Sequence, residues 1–282
     1  MKVMMYKNQF INVISLLIAL MVIMVSCSKE PEPEPEPPDT GKITLSFSHL
    51  MDGKTLQVDT MKYVNAAGNL FLVTEVQYFI SDVTLHRSDG MELIIDDWKD
   101  MHYVDNDIPS TMTWEVFDDI PTGQYDFISF TFGISEEKNH SLMFVNPPER
   151  DMFWPQVLGG GYHYMKLNGK WKNDTITTNR PFEFHLGIGQ IYKGDSVYVP
   201  DIIDFIHNAF EVVLPASSFT IAKDMKKDIS IVMNIENWFQ NPFVYDMAVN
   251  PENTMQYQAA MHTGCVNGKE NVFEVAEIRE SR

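Results

Sequence analysis

From Lys42 onward the chain is divided into short runs of β-branched and aromatic residues, each closed by a turn signal. In ITLSFSHL (43–50), Ile43, Leu45 and Phe47 alternate with Thr44, Ser46 and Ser48. That period of two sends successive side chains to opposite faces of a strand. The runs LFLVTEVQYFISDVTLHRSDG (70–90), MELIID, YDFISFTFGI, YHYMKL, PFEFHLGI, SVYVP, AFEVVLP and DISIVMNI continue the pattern, with Gly, Pro, Asn and Asp between them. Many short strands with frequent turns predict an all-β fold, an antiparallel β-sandwich of Greek-key-like type with a few short helical segments. Helical periodicity is weak. NIENWFQNPFVYDMAV (234–249) and PENTMQYQAAMH (251–262) are the two places for it, with a helix start offered around Asn250, Pro251 and Asn253.

The N-terminus is organised differently. Lys2 and Lys7 precede a mostly apolar run from Phe10 to Val25, which ends at Met24-Val25-Ser26-Cys27. This predicts a signal peptide over residues 1–26, cleaved to leave Cys27 as an acylated N-terminus. Lipid on Cys27 would anchor the chain to a membrane rather than span it. Residues 27–41 read as a linker: the alternating Pro and Glu of SKEPEPEPEPPDT favour an extended polyproline II spacer, stretched further by four repelling glutamates. Residues 42–282 form the domain. An extracytoplasmic location at the outer membrane is expected, on its periplasmic or cell-surface face.

The net charge is −18, and removing residues 1–26 takes away Lys2 and Lys7 and no acid, which gives −20. So acidic a chain is not expected to bind nucleic acid, which selects basic patches. Only Cys27 and Cys265 occur. With Cys27 acylated, Cys265 has no partner within the chain, so a disulfide scaffold is excluded. Cys265 is left as a buried apolar residue, an intermolecular link or a metal ligand.

No G-x-S-x-G elbow, P-loop or H-E-x-x-H motif is present, and no nucleophile–base pair is legible, so no enzymatic activity is expected. DNDIPS (105–110) opens like a calcium loop but lacks its glycine and its closing glutamate, and reads as a turn. The informative residues are histidines. Strand alternation in YHYMKL would place His163 with Met165 and Leu167 on one face. In PFEFHLGIG it pairs Phe182 with Phe184 and sets Glu183 and His185 opposite. His163 and His185 flank a region containing Trp154 and the Gly159-Gly160-Gly161 turn. Such a turn would bring Trp154 and His163 together, either as a packed aromatic corner or as part of a site. Imidazoles among Met and aromatic neighbours suit copper better than magnesium or calcium.

Several stretches, in order, carry a resemblance to a known family: YVNAAGNLFLVTEVQYFISDVTL (63–85), HYVDND (102–107), IPTGQYDFISFTFGI (120–134), DMFWPQVLGGGYHYMKLNG (151–169) and FEFHLG (182–187). Together they resemble the MbnP family, copper-binding proteins associated with methanobactin operons, and its Bacteroidetes lipoprotein relatives. The resemblance implies a secreted or lipid-anchored β-sandwich that holds copper with histidines and a kynurenine made from tryptophan. A dihaem peroxidase-like partner performs that oxidation. Carried onto this chain, it makes Trp154 the residue to be modified and His163 and His185 the metal ligands. His49 is a weaker third ligand, and His262 a fourth through its neighbour Cys265. Relatives from methanotrophs carry a second Trp two residues after the first and Thr-Gly-Cys after HLG; Gln156 and Ile188-Gly189-Gln190 stand here. The resulting expectation is a lipid-anchored copper-binding protein without turnover. Its rival is a surface module for a glycan or protein ligand, with Trp154 and Tyr162 as a stacking platform.

Overall fold

A computed structural model describes residues 37–281. The expected signal peptide (1–26), the lipidated Cys27 and the linker up to residue 36 lie outside the described residues. The principal strands are β1 (Thr40–Met51), β2 (Leu70–Arg87), β3 (Met101–Asp105), β4 (Gly123–Phe132), β5 (Met165–Lys172), β6 (Arg180–Leu186), β7 (Ile188–Tyr192), β8 (Ile202–His207), β9 (Phe210–Leu214), β10 (Lys226–Asn234) and β11 (Phe273–Ser281). Among the described residues one α-helix, α1 (Gln258–Asn271), precedes β11.

Two sheets pack face to face, as the alternating sequence predicts. The first has the order β11–β10–β1, and short strands extend it at β1. The second runs β6–β5–β2–β4–β9, with β3 and other short strands pairing onto β2 and β4. Strands β7 and β8 form a separate ribbon. The named strands pair antiparallel except β1 and β10, which run parallel in the register Leu45 to Ile229. Period-two alternation builds the core. Ile43, Leu45 and Phe47 of β1 face Val76, Tyr78 and Ile80 of β2, all buried. Phe273 of β11 closes the space between the sheets against Tyr78, Phe130 and Phe132.

The second sheet is covered on its outer face too. Phe79 of β2, one residue out of phase with Tyr78, stacks on Phe144 at 5.4 Å, and Phe144 meets Tyr162 edge to face at 4.9 Å. A long loop between β4 and β5 therefore lies over this outer face, tied down by aromatic contacts.

The helical segments depart from expectation. Residues 234–249 contain only a 3-10 turn, Ile235–Phe239. Helix α1 starts at Gln258 rather than near Asn250 and runs on to Asn271. Residues 252–254 are taken by tertiary bonds to the edge strand β6: Glu183 N–H donates to Glu252 O and Thr254 N–H to Glu183 O. These bonds override the local start signal. Two glycines let α1 sit close to the core. A Cβ at Gly264 would lie 2.7 Å from Phe184, and one at Gly268 would lie 2.5 Å from Phe210.

Candidate metal centre

The site is built from the β4–β5 loop and the outer face of β5 and β6. Residues Met152 to His163 form a small hairpin: Trp154 N–H donates to Gly161 O (2.8 Å), and His163 N–H to Met152 O (2.7 Å). Its tip is the glycine triplet, with φ of 119°, 71° and 75° at Gly159, Gly160 and Gly161. Three consecutive left-handed residues are accessible only to glycine at low cost. The turn folds Trp154 back on His163, and their ring centroids are 4.6 Å apart at 70°.

Trp154 is fully buried, and its indole Nε1–H donates to Leu158 O at 3.0 Å. Its six-membered ring lies against Gly187, where a Cβ would come within 2.6 Å. Gly187 is thus the gap into which the indole fits. Trp154 and Tyr162 both lie in the interior, 0% and 1% exposed. They present no ring face to a sugar, and the expected stacking platform is absent at this corner.

His163 does not follow the alternation expected of it. Strand β5 starts only at Met165, so the period-two rule does not extend back to His163. Its ring instead meets that of His185, with centroids 5.0 Å apart at 83°. Register places Lys166, opposite both Gln77 and His185, on the outer face. Met165, Tyr78 and Leu186 share the inner face. His185 itself behaves as the alternation requires.

Hydrogen bonds assign one nitrogen of each imidazole and leave the other with a lone pair. His163 Nδ1–H donates to Met152 O at 2.9 Å, and Nε2 is buried without a partner. His185 Nε2–H donates to Asn168 Oδ1 at 2.8 Å, and Nδ1 is buried without a partner. Asn168 is in turn oriented by its Nδ2, which donates to Glu75 Oε2 at 2.5 Å. The His185 backbone is clamped by Thr254, whose Oγ1 accepts from His185 N and donates to His185 O. Burial, helped by the charge of Lys166, lowers the His163 pKa to about 3. Burial, His163 and Lys166 together hold that of His185 well below its ordinary value. Both rings are neutral donors at neutral pH. The structure brings together Trp154, His163 and His185, the three residues named from the sequence; Asn168 and Thr254, which bond to His185, were not among the sequence candidates. Asn168 shares the outer face of β5 with Lys166, a signal available in principle; Thr254 lies in an irregular segment with none.

His49 sits elsewhere. Its side chain is on the inner face of β1 and meets the Tyr78 ring at 5.7 Å. Tyr78 is on the inner face of the second sheet, so that sheet separates His49 from the His163–His185 pair. Burial lowers its pKa to about 4, against the opposing pull of Asp105. His262 is exposed on α1. Cys265 is buried, donates to Asn208 O at 3.4 Å, and has its thiol pushed up to about 12 by burial. A thiol so held is not a ready thiolate ligand. Among the described residues, no third His, Cys, Asp or Glu joins the imidazole pair as a close donor.

One contact was not legible in the sequence: Ser129 Oγ lies 2.8 Å from His86 Nε2, with Glu92 3.3 Å from the other ring nitrogen. Ser129 is a buried mid-strand residue paired on both sides, to Thr84 and Val213. The contact is a cross-strand polar cluster on the sheet face.

The fold and site define a β-sandwich with a buried, neutral imidazole pair set against a buried indole. The MbnP family model matches residues 40–257, and the chain belongs to the MbnP family. Among solved structures, MbnP from Methylosinus trichosporium is similar, with 17% sequence identity, 76% of this chain and 83% of that chain covered, and a TM-score of 0.48. No curated protein matches.

Proposed function

We propose that the protein is a lipid-anchored, extracytoplasmic copper-binding protein that holds Cu(I) through Nε2 of His163 and Nδ1 of His185. One observation carries this reading: two imidazoles in contact, both buried and neutral, each keep one nitrogen without a partner. A buried acceptor without a partner is costly unless something satisfies it, and a neutral imidazole nitrogen is a good metal donor. Zinc sites draw on three or four protein ligands, whereas the described residues offer this pair and no third His, Cys or carboxylate. Among the common metals, that favours copper.

Intact tryptophan can only donate a hydrogen bond, so Trp154 adds no ligand as it stands. Oxidation to kynurenine would change this. Cleavage of the indole C2–C3 bond with addition of two oxygen atoms, then hydrolytic loss of C2 as formate, leaves an aryl amine where the indole N–H was. That amine would carry a lone pair beside His163. The oxidant would come from a partner of the dihaem peroxidase type. The signal-like N-terminus and Cys27 support attachment to the outer membrane.

The test is copper content and the mass of the Trp154 peptide in the full chain purified from its native host. One copper per chain, lost in His163→Ala, is the expected result. A chain that takes up no Cu(I) when titrated under anaerobic conditions would overturn the proposal. Unmodified Trp154 in a copper-loaded chain would remove kynurenine alone.

A further inference from the structure

A second site, of opposite chemistry, lies in the loops next to β1. After the short strand Glu92–Ile94 the chain passes through Asp96 and Asp97 and meets the segment holding Asp118. Asp118 is 4% exposed, and its Oδ1 accepts the backbone N–H of Asp96 (3.0 Å) and of Asp97 (3.2 Å). This brings three carboxylates together: one oxygen from each of Asp96, Asp97 and Asp118 lies within 4.8 Å of the others. A separate fact points to a ligand. Asp118 Oδ2 is buried and has no hydrogen-bond partner. The ammonium of Lys42 reaches this loop, but it bonds to the carbonyls of Phe117 and Asp118 and to the Asp119 carboxylate, leaving Oδ2 unmatched.

A buried carboxylate oxygen without a donor or counter-ion is expensive, and two further anions beside it add repulsion. A cation among the three relieves both. The donors are all oxygen, which selects a hard ion and excludes the Cu(I) chemistry of the imidazole pair. Calcium fits better than magnesium. It tolerates irregular geometry and fills its six to eight positions with water, which the exposed side of Asp96 and Asp97 supplies, whereas magnesium demands near-octahedral order.

We propose that Asp96, Asp97 and Asp118 form a calcium site. With three carboxylates and an open side, its affinity falls in the range of extracellular calcium modules, a Kd of roughly 10⁻⁴–10⁻³ M. The site holds together two exposed aromatic residues, Trp98 and Phe117, whose rings are 6.2 Å apart. Trp98 follows Asp97 directly and serves as a reporter.

Titration of the full chain with Ca²⁺ by calorimetry, and with Tb³⁺ by luminescence excited through tryptophan, tests the site. One Ca²⁺ per chain is expected, together with Tb³⁺ emission that Ca²⁺ displaces and that Trp98→Phe dims. Asp96→Asn combined with Asp97→Asn, at exposed positions that leave the fold intact, weakens Ca²⁺ binding more than tenfold, and Asp118→Asn does the same. His163→Ala leaves it unchanged, which separates this site from the copper centre. Absence of saturable Ca²⁺ binding up to about ten times the weakest expected Kd, or equal binding by the Asp96→Asn/Asp97→Asn variant, overturns the proposal.

Discussion

His163 and His185 stand edge to face with ring centroids 5.0 Å apart, and each keeps one buried nitrogen that no protein group satisfies. Two residues 22 positions apart in sequence thus become a single donor pair. The pair requires both a hairpin that folds Trp154 onto His163 and a strand that presents His185 on the outer face.

Single removals should therefore behave alike. His163→Ala and His185→Ala each leave one donor and are expected to weaken Cu(I) binding by at least a hundredfold, read by competition with a chromophoric Cu(I) chelator. His49→Ala should leave binding unchanged, because a sheet lies between His49 and the pair. A loss in His49→Ala equal to that in His185→Ala would contradict this arrangement.

Asn168 should matter without touching metal. It accepts from His185 Nε2 and is itself held by Glu75, which fixes the tautomer with the lone pair on Nδ1. Outer-shell partners of this kind typically contribute 10–100-fold in metal affinity. Asn168→Ala is expected to lose about that much. In ¹⁵N-resolved spectra of the metal-free protein, the His185 proton should sit on Nε2 in the wild type and exchange between nitrogens in the variant. A single unchanged tautomer in Asn168→Ala would remove Asn168 from this role.

Much of this was legible in the sequence. Alternation at Ile43, Leu45 and Phe47 and at Phe182 and Phe184 gave the strands and their faces, and placed His185 correctly. The glycine triplet announced a tight turn between Trp154 and His163. The face of His163 was not legible, because period-two reasoning assumes a strand and β5 begins two residues later. Position Thr254 was also hidden: its bonds to His185 span 69 residues, and no local pattern encodes such a tie. The backbone bonds of Glu252 and Thr254 to Glu183, equally long in range, moved the start of α1 from the Asn250 region to Gln258. The calcium site escaped for a related reason, since Asp118 is distant in sequence from Asp96 and Asp97.

Gly187 tests the packing of the indole independently of metal. An added methyl would meet the Trp154 ring at 2.6 Å, with no flexible side chain to yield. Overpacking of this type costs typically 1–3 kcal/mol. Gly187→Ala should lower Tm by several degrees and, by displacing Trp154 from His163, reduce Cu(I) affinity as well. Wild-type stability and affinity together would show that the indole is not confined as described.

Burial changes the pH dependence of the pair from what free imidazoles would give. An unperturbed histidine titrates near 6.5, so the sequence alone suggests that copper would be lost below that pH. Folded, His163 has its pKa lowered to about 3, and His185 is held well below 6.5. His163 is still deprotonated at pH 5.5 and His185 is shifted in the same direction, so Cu(I) affinity should fall less between pH 7 and 5.5 than free imidazoles would give. The proton penalty falls on folding instead. His49 and His102 are also lowered, each to about 4, chiefly by burial. Between pH 6.5 and about 4 the unfolded chain binds protons that the folded chain refuses, so the stability of the metal-free protein falls as pH drops through that window. A tenfold difference in proton affinity between the folded and unfolded chain is worth about 1.4 kcal/mol, so several such histidines give a loss large enough to read. Thermal melts of the metal-free chain should show Tm declining from pH 6.5 downward, with the onset above the carboxylate range. Replacing His102 by Gln should make the decline shallower. A Tm that stays flat to pH 4.5 would mean that these imidazoles accept protons in the folded state, and that burial does not hold the pair neutral.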